Sequence, residues 1–392
     1  MKRILLLFII IISINAKAQS KFEVNGYVKF MQTVLPLPDT IRAAFGTDVL
    51  ATNLVHHRLN MAYYANDRLT FKAEFRDRLM YGDLAAAMGS QADLGNDVFT
   101  LSTYLIEGNN LYWHLIFDRM YGEYISGDWE IRAGRQRINW GINTIYNPND
   151  IFNAANFFDF DYEERSGSDA IRITKYAGVS SRFELAFKYF DKVEDAVGAL
   201  LWKTTKWNYD LQFLGGVSQM DAVIGCGWSG YIKEKYGFKG EASYFQPYQN
   251  LDSTGTMVYS LATDFSLKED WLFMGGVLYN QQAASASNSA LDMGQALTSL
   301  NSSVNMSAKN LSTTAWTFMA IVSKPINAQL AWSTALIAMP HKDLNTGIWV
   351  NTITYSVKDN WDIDLVNQTI LTQSQDMLGG INMMNFRLKY AY

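Results

Sequence analysis

The chain has 392 residues, with 33 Lys and Arg against 38 Asp and Glu and a formal charge of −5, so it lacks the basic footprint of a nucleic-acid binder. A single cysteine, Cys226, excludes an internal disulfide. Beyond residue 18 no apolar run reaches the ~20 residues of a transmembrane helix, yet 14% of the residues are aromatic, with 22 Tyr, 22 Phe and 11 Trp.

The N-terminus reads as a secretory signal. Lys2 and Arg3 form the charged region, Ile4 to Ile14 is apolar, and Ala16-Lys17-Ala18 supplies a small-x-small cleavage site. No cysteine follows that site, which argues against a lipoprotein. Residues 1–18 are therefore expected to be a signal peptide and 19–392 a single domain, with no linker or internal repeat.

From residue 22 onward, short segments alternate apolar and polar residues, the period of a half-buried strand. Phe71, Ala73 and Phe75 alternate with Lys72, Glu74 and Arg76. Eighteen such segments are readable, near 22–34, 52–65, 68–80, 111–124, 128–140, 169–177, 181–191, 198–205, 207–218, 222–232, 235–247, 255–266, 270–281, 313–323, 326–339, 346–357, 360–372 and 380–392. Their connections mostly alternate long and short. Bacterial outer-membrane barrels show that rhythm, with short periplasmic turns and long extracellular loops. A sheet crossing a bilayer must close, because lipid offers an edge no hydrogen-bond partner. The expected fold is all-β, a closed antiparallel transmembrane β-barrel of about 16–18 strands. The short connection at 219–221 breaks the rhythm and leaves the strand number open within that range.

The most distinctive stretch is Gly134 to Asn153, "GRQRINWGINTIYNPNDIFN". Alternation past Trp129, Ile131 and Ala133 would put Arg135, Arg137 and Asn139 on the apolar face. A charge there costs ~2–4 kcal/mol at the bilayer midplane. A bulge near Gly134 removes the conflict by shifting the phase, which sends the arginines to the lumen and Ile138 and Trp140 to lipid, with Trp140 in the interfacial girdle. Alternatively, the upper half of the strand projects above the bilayer. Asn147-Pro148-Asn149-Asp150 reads as a turn, with Asn149 or Asp150 able to cap a short helix through "IFNAANFF". The apolar loop after it is expected to fold inward or against the rim.

These residues also resemble a family. Gly134-Arg135-Gln136, Trp140-Gly141, Asn147-Pro148-Asn149-Asp150 and Gly167-Ser168-Asp169 are similar to a pattern in poorly characterised porin-like outer-membrane proteins. The match spans roughly residues 130–173. It implies a porin-like barrel and names no substrate. The structural positions of the motif are Gly134, Trp140, Gly141, Asn147, Pro148 and Asp150.

The last strand has Met384, Phe386, Leu388, Tyr390 and Tyr392 on one face and Asn385, Arg387 and Lys389 on the other. It resembles the C-terminal strand of Gram-negative outer-membrane barrels, whose assembly machinery reads such an aromatic end. Phe386, Leu388, Tyr390 and Tyr392 are thus the expected assembly signal.

Charge is the stronger functional constellation. Arg76, Arg78, Arg132, Arg135 and Arg137, with Glu74, Asp159, Asp161, Glu163 and Glu164, are expected to line the pore, where rings of charge set selectivity. A rigidifying network of ion pairs is an equally good reading, and the two are compatible. The four histidines have no metal-ligand spacing, and His114 with Asp118 on one strand face is a weak basis for a hydrolase. No cofactor, metal or nucleic acid is called for, and no enzymatic role. The expected partners are outer-membrane lipid, the barrel assembly machinery and a small solute or glycan. Two functions remain: a channel for small hydrophilic solutes, or a non-transporting barrel that binds a surface glycan or anchors a protein. The oligomeric state is not readable from the sequence.

Overall fold

In a computed structural model, residues 21–39, 42, 46–85, 97–153, 167–249, 254–285, 307–342, 345–373 and 378–392 are described. The expected signal peptide, 1–18, and the acids Asp159, Asp161, Glu163 and Glu164 lie outside them. The strands among the described residues are β1 (Phe22–Pro36), β2 (Val49–Asn66), β3 (Leu69–Gly82), β4 (Ser102–Glu107), β5 (Leu111–Ser126), β6 (Trp129–Gln136), β7 (Ser168–Tyr176), β8 (Ser181–Lys188), β9 (Val197–Lys206), β10 (Tyr209–Ser218), β11 (Asp221–Ile232), β12 (Tyr236–Pro247), β13 (Thr256–Ser266), β14 (Leu272–Asn280), β15 (Trp316–Pro325), β16 (Leu330–Met339), β17 (Asn345–Lys358), β18 (Trp361–Gln373) and β19 (Leu378–Ala391).

Each strand pairs antiparallel with its chain neighbour, except that β3 pairs with β5. β19 returns to β1 through Tyr27↔Ala391 to Val34↔Met384 and closes the sheet. Setting β4 aside, the wall has 18 strands, the upper end of the expected range. All eighteen segments read from the sequence are wall strands; β4 is the addition. Every connection at one end of the barrel has two to five residues, and the long ones lie at the other end, together with three short ones: 340–344, 374–377 and the two-residue turn Gln219-Met220. Both residues of that turn have positive φ (48° and 71°), the geometry that matches hairpin twist.

The outer face is built for lipid. Exposed aromatics ring the short-turn end (Phe71, Trp129, Trp207, Tyr390) and the long-loop end (Phe187, Trp316, Trp349), with aliphatics such as Leu185, Leu200 and Ile224 between them. That is the banding of a transmembrane barrel. In β19, Met384, Phe386, Tyr390 and Tyr392 are exposed, while Asn385 is buried within. Tyr392 completes the seam: its backbone exchanges hydrogen bonds with Gly26 at 3.1 and 3.0 Å, and its hydroxyl lies 2.9 Å from His57 Nε2.

Two expectations for β6 are corrected. Its pairing runs unbroken from Trp129 to Arg135 with β5 and from Trp129 to Gln136 with β7. The bulge is on β5, where Glu74 faces Arg119 but Phe75 faces Phe117. Asp118 is the extra residue, so both Asp118 and Arg119 turn inward. Gly134 is still a special position, with φ +118°, and a Cβ there would lie 2.4 Å from the Met120 carbonyl oxygen. The strand ends at Gln136 rather than Trp140 because the chain there leaves the wall. Replacing Gly134 with alanine is expected to strain a left-handed backbone against a fixed carbonyl, costing ~1–3 kcal/mol. A lowered melting temperature and reduced heat-modifiable gel migration would report it.

Candidate functional site: a segment folded into the lumen

After Gln136 the chain turns into the barrel. Ile138 and Trp140, expected on the lipid face, are instead 0% exposed. They join Ile145, Tyr146, Ile151 and Phe152 in a hydrophobic cluster against the inner wall, with Ala186, Leu201, Leu214, Phe245 and Leu278. The Trp140 ring meets Phe152 edge-on at 4.9 Å. Its indole N–H donates to Glu184, and its carbonyl accepts Gln212 Nε2 at 2.8 Å. An interfacial girdle satisfies an indole N–H with headgroups or water; here β8 supplies a carboxylate, so the ring is satisfied inside. Residues 137–153 thus meet the expectation of an inward-folding loop, and 154–166 lie outside the described residues.

The motif has local physical reasons. Asp150 N–H donates to the Asn147 carbonyl at 3.0 Å, closing the expected turn with Pro148 at its second position. Residues 151–153 form no helix. Gly141 is required by close approach: a Cβ would sit 2.4 Å from the Asn147 side chain. Burial pushes the Tyr146 hydroxyl well above its ordinary value, so it stays neutral.

The segment is held by one carboxylate that the sequence reading missed. Glu241 on β12, 1% exposed, accepts the N–H groups of Ile142, Asn143 (2.6 Å) and Asn149 (3.0 Å). Ser243 Oγ donates to Asn149 Oδ1 (2.7 Å), and Asn149 Nδ2 donates to the Cys226 carbonyl (3.0 Å). Asn143 Nδ2 donates to Ser260 (3.0 Å). The glycines flanking Cys226 belong to this site. A Cβ on Gly225 would lie 2.6 Å, and one on Gly227 3.1 Å, from the Asn149 amide group. The available signal was "GCGWSG", two inward glycines two apart, together with a lone inward glutamate in the next strand.

Where β6 leaves, residues 97–107 close the wall. β4 pairs with the upper part of β5, while β6 pairs only with its lower part. Arg135 donates two hydrogen bonds to Asp169, both 2.8 Å, and others to the carbonyls of Phe99 and Phe117. Asp97 accepts Asp169 N–H at 2.8 Å and pairs with Lys188 at 2.6 Å. Arg135 is 1% exposed, so its charge is sealed within this joint and does not face the lumen as expected. Arg137 is half-buried where the inward segment begins.

The remaining charged residues form a network along β2 to β7. Arg58 pairs with Glu74 and Asp118, Arg76 with Asp118 (2.6 Å), and Arg119 with Glu74 (2.5 Å). Arg132 pairs with Glu123 (2.9 Å) and Glu130 (2.8 Å), and Arg172 with Glu130 (2.9 Å). Arg78 faces the same side in β3, half-buried. Asp118 is engaged by two guanidiniums, which weakens the case for a His114–Asp118 pair. Among the described residues, no group of three or more His, Cys, Asp or Glu is gathered as metal ligands.

No sequence-family model matches the chain, and neither does any curated protein. Solved barrels do match its fold. OccAB4 of Acinetobacter baumannii aligns with a TM-score of 0.59 at 7% identity, over 96% of this chain and 100% of that one. A BenF-like porin from Pseudomonas fluorescens Pf-5 gives 0.58 at 8%, over 95% and 98%. OpdQ of Pseudomonas aeruginosa gives 0.55 at 8%, over 95% and 99%. At these identities the likeness is one of fold: a closed porin-like barrel.

Glu241→Ala strands three buried amide donors, at ~1–3 kcal/mol each. The expected outcome is a folded, heat-modifiable barrel whose 137–153 segment becomes sensitive to protease, while the wild-type segment resists cleavage.

Proposed function

We propose that the chain is an outer-membrane porin-like channel for small hydrophilic solutes. The observation that carries this reading is the segment 137–153 pinned inside a closed 18-strand wall. A wall of ~16–18 strands is wide enough for an aqueous path, and a fixed internal segment narrows it. One of the barrels of similar fold is named a porin, and the reading extends that role to this chain. The motif that resembles the porin-like pattern then marks the narrowing segment and its joint with the wall.

In this reading Arg76, Arg78, Arg132, Arg137 and Glu74 border the path; the acids Asp159, Asp161, Glu163 and Glu164, expected with them, lie outside the described residues. The paired network along β2 to β7 holds six cations (Arg58, Lys72, Arg76, Arg119, Arg132, Arg172) against four carboxylates (Glu74, Asp118, Glu123, Glu130). Within this paired network, which leaves out Asp159, Asp161, Glu163 and Glu164, the excess is positive, and charge in a confined space is weakly screened, so the network by itself favours small anions. The alternative, a plugged barrel that binds a glycan or a partner, calls for pairs spanning the lumen. The wall pairs named above join strands no more than two positions apart and run along it. Tyr392 and the aromatic face of β19 serve as the signal for the barrel assembly machinery.

In a planar bilayer the purified protein should conduct, and a salt gradient should give a reversal potential of anionic sign. Arg132→Gln with Arg172→Gln is expected to move that potential toward cations. A heat-modifiable barrel that does not conduct would overturn the channel reading.

A further inference from the structure

The inner wall carries two cations that the network along β2 to β7 does not include. One inward step from Glu184 and Leu201 toward the short-turn end, four residues lie side by side across β7 to β10. Tyr176 is opposite Arg182, Arg182 opposite Lys203, and Lys203 opposite Gln212. Arg182 and Lys203 are both half-buried. Among the described residues, neither makes an ion pair or a side-chain hydrogen bond, and the buried Nε of Arg182 has no acceptor.

Like charges directly opposite each other on one face of a sheet repel. The same wall holds two other cation pairs in that arrangement, and both are met by acids of the chain. Arg58 and Arg76 are cross-strand partners that share Asp118, with Glu74 also on Arg58. Arg132 and Arg172 are partners that share Glu130, with Glu123 also on Arg132. Each pair thus has two carboxylates against it. The acids near Arg182 and Lys203 are committed elsewhere. Glu184 accepts the Trp140 indole, Asp150 faces the Trp140 amide, and Glu241 takes three amides of the inward segment. Glu130 accepts the Tyr176 hydroxyl at 3.0 Å, and Asp210 accepts that of Thr205 at 2.6 Å.

We propose that Arg182 and Lys203 bind the phosphate group of a small solute, which takes the place that chain carboxylates hold between the other two pairs. Charge selects the group. A phosphate monoester carries about −1.5 to −2 at pH 7 and has three acceptor oxygens. One such group balances both cations, whereas one carboxylate leaves a charge unmatched. Arginine offers a planar fork of donors and lysine a compact point charge, and both suit phosphate. The pair is reached from the mouth at the short-turn end: Thr205 and Asp210, one inward step further that way, are exposed. The solute class rests on the channel reading, but the site itself requires only the closed wall.

Inorganic phosphate is the probe. With the folded wild-type barrel in mild detergent, its phosphorus NMR line should broaden saturably, and phosphate should raise the melting temperature. Arg182→Gln with Lys203→Gln should abolish both effects, and each single substitution should weaken binding about tenfold or more. Without phosphate the double variant should melt no lower than the wild type, because it loses a repulsion. Equal phosphate binding by wild type and double variant overturns the proposal. A double variant that melts lower without phosphate also overturns it, by showing that the cations are counter-charges for Glu184 and Glu241. Acetate that competes as well as phosphate overturns the assignment to phosphate. Should the double variant lose its heat-modifiable fold, the two single variants decide by the same measurements. A barrel that binds phosphate through this pair and does not conduct would remove the channel reading and leave the site standing, and one that conducts without binding phosphate would do the reverse.

Discussion

Everything in this molecule depends on the absence of hydrogen-bond partners in hydrocarbon. Each backbone amide and carbonyl of a spanning strand must find its partner in the sheet, so the ladder cannot end at an edge and β19 must return to β1. Closure also brings the C-terminal residue against the first two strands. Tyr392 bonds Gly26 through its backbone and reaches His57 with its hydroxyl. Stability then comes from the ladder and from the lumen's contents, without a disulfide.

The same constraint explains how the wall tolerates losing a strand halfway up. When β6 turns inward at Gln136, the upper edge of β5 would be left unpaired, and β4 covers it. The joint is fastened by Arg135 between Asp169 and two backbone carbonyls. A buried guanidinium is tolerable only with its donors engaged, and this one has a bidentate carboxylate. The inward segment is then a second problem in burial, because its own backbone has left the ladder. Glu241 accepts three of its amides, while an apolar cluster against the inner wall contributes the packing.

The charged side of the lumen follows a similar logic at lower cost. Arginines on adjacent inward positions are interleaved with carboxylates one or two strands away, and the bulge at Asp118 brings one more acid and one more base into the row. These pairs stiffen the wall, and in the proposed channel the same residues would set its selectivity.

The sequence by itself determined the class and the closure and marked out the wall strands, because period-2 alternation and the connection rhythm are local properties that the bilayer enforces; it left their number open between about 16 and 18, because the two-residue connection at 219–220 breaks that rhythm. It also located the motif and the inward tendency of its apolar loop. It did not determine which face Ile138, Trp140 and Arg135 take. Alternation identifies faces only while the chain remains in the sheet, and after Gln136 it does not. Nor did it place the bulge, which looked necessary at Gly134 and sits on the neighbouring strand at Asp118, since phase is set by the pair of strands and not by one. Glu241 and the glycines at 225 and 227 were visible as letters but mute. Their role comes from Asn149 arriving more than 70 positions away in sequence, and only the closed barrel makes that contact.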